Sequence, residues 1–164
     1  MELFEAIFTR RSIREYTLQA VPDELVHELL AAAMQAPSAG NQQPWHFIIV
    51  SERKQLDALA DVLPFGKMLK TAPLAIAVCG DVEHARYRDY WVQDCSAATM
   101  NLLLAAHALG LGAVWLSCTE KTAETFQKKY GLPQYIKQAL HIAVGWTAVG
   151  SVKSLRMPLS EMML

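Results

Sequence analysis

Residues Leu74 to Gly80 read Leu-Ala-Ile-Ala-Val-Cys-Gly, a run without a polar side chain that follows Pro73. A run this short and this apolar reads as a central strand with both faces covered. It therefore demands helices on either side of a sheet, and the remaining pattern supplies them. Glu2–Thr9 has helical spacing, with Leu3, Phe4, Ile7 and Phe8 on one side. Val21-Pro22-Asp23 starts a second helix whose apolar face is Leu25, Leu29, Leu30 and Ala33, and which stops before Pro37. Trp45–Val50 reads as a strand, and Ser51–Leu63 as a helix with Ser51 as its N-cap. Asp81–Tyr90 is a loop or short helix, and Trp91–Leu109 is the longest helix, ended by Gly110-Leu111-Gly112. Ala113–Ser117 is another buried strand, Lys121–Tyr130 a helix, and Gln138–Trp146 the last core strand. Ser151–Leu164 is a tail with little periodicity. Strands alternating with helices place the chain in the α/β or α+β class.

At 164 residues the chain is expected to form one domain spanning 1–164, long enough to bury a core. Hydrophobic residues make up 52% and charged residues 19%, which excludes disorder and leaves surplus apolar surface for a subunit interface. A formal net charge of −1 gives no bulk-charge support to nucleic-acid binding. Cys79, Cys95 and Cys118 are odd in number and match no metal spacing, so they read as reduced, packed thiols. The N-terminus lacks a signal-peptide pattern, and the apolar stretch Leu102–Leu116 is interrupted by His107, Gly110 and Gly112. A soluble cytoplasmic protein, with no membrane or nucleic-acid partner, is the expectation.

Two segments carry chemistry. Arg10-Arg11-Ser12-Ile13-Arg14 offers three guanidiniums and a hydroxyl, suited to a phosphate, and an extended backbone would put Arg10, Ser12 and Arg14 on one side. A solvated basic turn that complements a helix C-terminus accounts for the same residues equally well. Pro37-Ser38-Ala39-Gly40-Asn41-Gln42-Gln43-Pro44-Trp45 is more specific. Its prolines restrict their predecessors and Gly40 permits positive φ. Asn41, Gln42 and Gln43 bring amides that both donate and accept, as the edge of a pyrimidine-like ring requires. Together the segments suggest a phosphorylated heterocyclic cofactor. Lys153 and Arg156 could complete a phosphate pocket, although alone they read as two exposed charges. Gly110-Leu111-Gly112 lacks the order and third glycine of a dinucleotide fingerprint, and neither a Walker loop, an HxxxH pair nor a GxSxG elbow is present. His107 reads as a packed or capping histidine.

These residues resemble the nitroreductase family of flavin enzymes. Arg10-Arg11-Ser12-Ile13-Arg14-Glu15-Tyr16 is similar to the family's phosphate motif, and Pro37–Trp45 to its Pro-Ser-x-x-Asn-x-Gln-Pro-Trp signature. Asp94, Ala97-Ala98 and Asn101–Ala106 resemble its central helix. Gly110–Trp115 resembles its glycine turn, and Lys153 with Arg156-Met157-Pro158-Leu159 its C-terminal basic pair. The resemblance implies an α+β fold with a mostly antiparallel sheet, and an intertwined homodimer with exchanged tails that binds FMN at its interface. By carry-over, Arg10, Arg11, Ser12 and Arg14 hold phosphate and ribityl groups, joined by Lys153 and Arg156. Pro37, Ser38 and Asn41 reach the ring edge from the other subunit, and Leu116, Ser117 and Cys118 approach the ring's redox-active side. Two departures stand out. Thr147 occupies a position where the family usually has proline, which implies a less rigid root for the tail. The stretch from Gly80 to Trp91 is also short where many relatives carry a larger lid.

The implied reaction is ping-pong hydride transfer from NADH or NADPH, through FMN, to an electron-poor small molecule such as a nitroaromatic or quinone. The protein's part is orientation and electrostatics, without a catalytic acid or base. The rival readings are a flavin-binding, sensing or flavin-fragmenting relative without nicotinamide turnover, and an interaction module whose 37–45 loop binds a protein.

Overall fold

The computed structural model describes residues 1–150 and 154–163. Among them, β1 (Trp45–Val50), β2 (Leu74–Asp81), β3 (Gly112–Ser117) and β4 (Ile136–Gly145) form one sheet in the order β1-β2-β4-β3. Each neighbouring pair is antiparallel. The choice between α/β and α+β, open from the pattern alone, falls to α+β.

The apolar run occupies β2, as expected, and its alternation decides the layers. Leu74, Ile76 and Val78 enter one apolar cluster, with α2 (Asp23–Ala33) and α4 (Trp91–Ala108) packed over them. Ala75, Ala77 and Cys79 enter the other, covered by α3 (Arg53–Val62) and by Phe126 of α5 (Glu120–Lys129). Both faces are dry, so a strand in an antiparallel sheet carries the continuous apolar sequence more usual in parallel ones. No helix among the described residues is long and apolar enough to cross a membrane.

Two local expectations change. Ser51 does not cap α3; Glu52 holds that position in an extended conformation, and no side chain bonds the first turn. The helix α1 (Leu3–Thr9) does form, but only Ala6 is buried. Leu3, Phe4 and Phe8 are 65%, 70% and 70% exposed, so the apolar side of α1 faces away from its own core.

Residues 12–16 strap the N-terminal segment to the sheet. Ser12 makes a parallel bridge to Ala113, and the Ile13 N–H donates to the Ala113 carbonyl at 3.0 Å. The strap covers the open edge of β3, which would otherwise expose unpaired backbone groups. Gly112 permits the approach, since a Cβ there would lie 2.7 Å from Ile13 Cγ2. The strap then crosses to the end of β4: Tyr16 bridges Thr147, and Ala148 N–H donates to the Glu15 carbonyl at 3.0 Å. Thr147 Oγ1 donates to the Val149 carbonyl and accepts from the Val149 N–H. The root of the tail is therefore held by hydrogen bonds at the position where the resemblance implies a proline ring.

A bulge in β4 buries a histidine with a polar companion. Val78 pairs with Leu140 but Cys79 pairs with Gln138, so the register slips by one residue. Such a slip moves side chains to the opposite face, which here brings Gln138 to His141. The Gln138 amide nitrogen lies 2.9 and 2.7 Å from the two ring nitrogens. His141 is fully buried, and burial pushes its pKa from an ordinary 6.5 down to about 3. Below about pH 6.5 the unfolded chain takes up a proton that the folded chain refuses, so stability falls with falling pH. Urea titrations of wild type and His141→Asn should expose this. Wild type should lose about 2 kcal/mol more than the variant on going from pH 7 to pH 5.

Candidate cofactor-binding site

The strap sets the arginines around a cavity of about 410 Å3, with Arg10, Arg11, Arg14 and Arg156 in its wall and Glu15 as the one carboxylate. Both ends of the chain contribute to it. In a chain of net charge −1, this is a concentrated positive site. Among the described residues, none of the four arginines is in a salt bridge. Their hydrogen bonds go to carbonyls instead: Arg11 Nη1 to Phe8 at 2.8 Å and to Arg10 at 2.7 Å, and Arg156 Nη1 to Leu155 at 3.0 Å. Arg11 thus serves the helix terminus, as a basic turn would, while still facing the cavity. Arg10 Nε is buried and, among the described residues, has no hydrogen-bond partner. Burial, and then the charges of Arg11 and Arg156, lower the Arg10 pKa. A buried donor and clustered cations are costly as they stand, and an anion with several acceptor oxygens relieves both costs. His107, bonded to Thr9 Oγ1 at 2.7 Å, stands beside these charges. Burial, then Arg10 and Arg11, hold its pKa below the ordinary value, so it adds no cation near neutral pH.

The second segment forms a separate structure. Gly40, Asn41 and Gln43 all have positive φ, at 54°, 55° and 47°. For Asn41 and Gln43 this backbone is costly and needs support from its surroundings. Support comes from three directions. Ser38 Oγ accepts from the Gln43 N–H at 2.9 Å. Asp94, on α4 and only 5% exposed, accepts from the Ala39 N–H at 2.9 Å and from Gln42 Nε2 at 2.6 Å. Gln42 also binds both backbone groups of Tyr87: Oε1 accepts from the N–H at 2.8 Å and Nε2 donates to the carbonyl at 3.1 Å. The Gln42 amide, expected to be available to a ring edge, is consumed in holding the loop, whereas Pro37 and Asn41 are exposed.

The structure places Arg10, Arg11, Ser12, Arg14 and Arg156 together. Lys153 lies outside the described residues. Pro37, Ser38, Asn41, Leu116 and Ser117 do not line the arginine cavity of their own chain. Leu116 is buried in the core, so only its backbone could face a ligand, while the Ser117 side chain is exposed. Burial raises the Cys118 pKa to about 12, which leaves a thiol and not a nucleophilic thiolate. Glu15, Val149 and Ser154 also reach the cavity, and Asp94 and Tyr87 shape the loop, without being expected to. Asp94 alone had a readable signal: a carboxylate on the buried side of an otherwise apolar helix needs a donor.

Known proteins are similar to this chain in sequence and fold. The family model described as Nitroreductase family matches residues 7–65 and 61–146. A Methanothermobacter thermautotrophicus protein named as a candidate NADH dehydrogenase/NAD(P)H nitroreductase is 45% identical over 150 residues, covering 90% of this chain and 78% of its own. A crystal structure of a candidate NADH oxidase from Clostridium acetobutylicum superposes with a TM-score of 0.92 at 40% identity, covering 97% of each chain. A candidate nitroreductase from Desulfovibrio desulfuricans, solved in complex with FMN, gives 0.91 at 39% identity, covering 100% of this chain and 96% of its own. With the same fold and matches along nearly its whole length, the chain belongs to the nitroreductase family.

Proposed function

We propose that the protein is an FMN-dependent oxidoreductase that uses NADH or NADPH to reduce electron-poor small molecules in the cytoplasm. The observation that carries this reading is the arginine cavity: among the described residues its buried Arg10 Nε has no partner, and none of Arg10, Arg11, Arg14 and Arg156 is in a salt bridge. Such a wall fits a phosphate dianion, and the FMN complex of the Desulfovibrio desulfuricans relative names a phosphorylated ligand for the fold. Arg10, Arg11, Ser12, Arg14 and Arg156 would hold the phosphate end, with Lys153 joining them. Pro37, Ser38 and Asn41 would meet the ring edge, and the backbone at Leu116 and Ser117 would approach the ring.

The chemistry that FMN supplies when bound is two-electron transfer in alternating half-reactions, from the nicotinamide to an acceptor such as a nitroaromatic or quinone. The chain's own residues bind, orient and provide charge. The strained loop offers donors in a shape fixed before the ligand arrives, which lowers the ordering cost of binding.

A homodimer completes the site in this reading. The exposed apolar side of α1 and the tail residues Leu155, Met157 and Leu159, which are 95%, 60% and 73% exposed, form surface suited to a second copy. The loop of one protomer would then face the arginine cavity of the other.

Substitution of Arg10 by Ala should weaken FMN binding at least tenfold, to about a hundredfold, because a charged hydrogen bond to the phosphate is lost. Riboflavin, which lacks the phosphate, should bind both proteins within about twofold, as read by flavin fluorescence quenching. Anaerobic addition of NADH or NADPH to the FMN-loaded protein should bleach the flavin absorbance, and a quinone should restore it. A loaded site that neither nucleotide bleaches would leave a flavin-binding protein without nicotinamide turnover.

A further inference from the structure

The side-chain amide of Gln42 makes three hydrogen bonds, and one carboxylate dictates its orientation. Ionised Asp94 can only accept, so Gln42 must turn Nε2 toward it, at 2.6 Å. With Nε2 committed, Oε1 faces the other way and takes the Tyr87 N–H at 2.8 Å. Nε2 retains a second hydrogen for the Tyr87 carbonyl, at 3.1 Å. The other oxygen of Asp94 takes the Ala39 N–H at 2.9 Å, at the start of the strained turn. One buried acid thus holds both sides of a junction: the loop at 39–43 directly, and the 81–90 segment through Gln42. Packing agrees independently. A Cβ on Gly40 would lie 2.4 Å from Tyr87 Cε2, so the tyrosine ring rests against the glycine backbone at a position whose φ is +54°.

We propose that Asp94 is a positioning residue for the loop half of the flavin site, and that through Gln42 it clamps the 81–90 segment into a fixed wall in place of a moving lid. This rests on the flavoprotein reading above. The short stretch between β2 and α4 gains its order from the Gln42 amide. Losing that orientation releases two elements together: Tyr87 leaves Gly40, and residues 40–43 lose part of what holds their left-handed backbone.

The clamp makes a test by swapped polarity possible. Gln42→Glu sets an acceptor against each oxygen that Gln42 Nε2 now serves, including Asp94 Oδ2. Adding Asp94→Asn to that variant returns a donor: the amide introduced at position 94 can give a hydrogen to the new carboxylate while its oxygen still accepts from Ala39 N–H. The measurements are hydrogen exchange at the Tyr87 amide and FMN affinity, in the full-length protein. In Gln42→Glu, Tyr87 protection and FMN affinity should each fall about tenfold, as expected for the loss of one or two hydrogen bonds involving a charged group. In the Asp94→Asn/Gln42→Glu double variant both should recover by about threefold over the single variant, since the contact at position 94 is restored while the Tyr87 carbonyl still lacks its donor. A merely structural acid would make the second substitution additive, and the double variant worse. A single variant within about twofold of wild type in both measurements, or a double variant no better than the single, overturns the clamp. Gln42 is half-exposed, so its substitution leaves the core packing in place. The exchange measurement needs no flavin. Wild type that takes up no FMN overturns the flavoprotein reading and, with it, the clamp's part in a flavin site. Wild type that binds FMN while Gln42→Glu leaves both readouts unmoved overturns the clamp alone.

Discussion

The pairing of residues 12–16 with the edge of β3 and the end of β4 is the constraint on which the candidate site depends. The Ile13 N–H on the Ala113 carbonyl, and Tyr16 against Thr147, fix a short segment that has no helix or strand of its own. Gly112 makes room for it, because any side chain there would meet Ile13. Once the strap is in place, Arg10, Arg11 and Arg14 must stand around one cavity, and the chain leaving β4 brings Arg156 to the same place. Backbone pairing therefore creates a concentration of positive charge that side-chain preferences would not assemble unaided.

That charge is held without neutralisation. Arg11 and Arg156 bond carbonyls, which satisfies donors but leaves the charge in place, and Arg10 Nε is buried with no partner among the described residues. Burial, and then the like charges of Arg11 and Arg156, lower the Arg10 pKa, and a bound dianion would add a charge interaction of the opposite sign. The loop at 37–43 shows a related economy. Its unfavourable left-handed residues persist because Ser38 and Asp94 hold them, so its shape is set in the free protein. In one chain these two halves are separate, while the apolar side of α1 lies uncovered.

Much of this was legible in the chain. The run in β2 announced a strand covered on both faces, because alternate residues had to serve two clusters with no polar position between them. The proline-bounded loop was readable as a candidate site from its residue types, whereas the arginine triplet alone read equally well as a solvated basic turn. Other features were hidden for physical reasons. Helical periodicity in α1 shows that Leu3, Phe4 and Phe8 share a side but not which surface covers it. The bulge beside Gln138 is a property of pairing with β2, invisible in a single strand. Gln42 resembles its neighbours Asn41 and Gln43 in type, and only the buried Asp94 distinguishes an amide that shapes the loop from one left exposed. Thr147 replaces a ring constraint with hydrogen bonds, which a comparison with proline does not convey.

Mixed dimers test the proposal that each flavin site joins the arginine cavity of one protomer to the loop of another. One chain carries Arg10→Ala and an intact loop. The other carries Gly40→Val, which forces a side chain into Tyr87, and intact arginines. Each variant alone should bind FMN weakly. After refolding an equal mixture, random pairing gives mixed dimers in which one of two sites is whole, so about one quarter of all sites should bind with wild-type affinity. A mixture that binds no more FMN than the two variants measured separately would place the whole site within one chain and contradict the account.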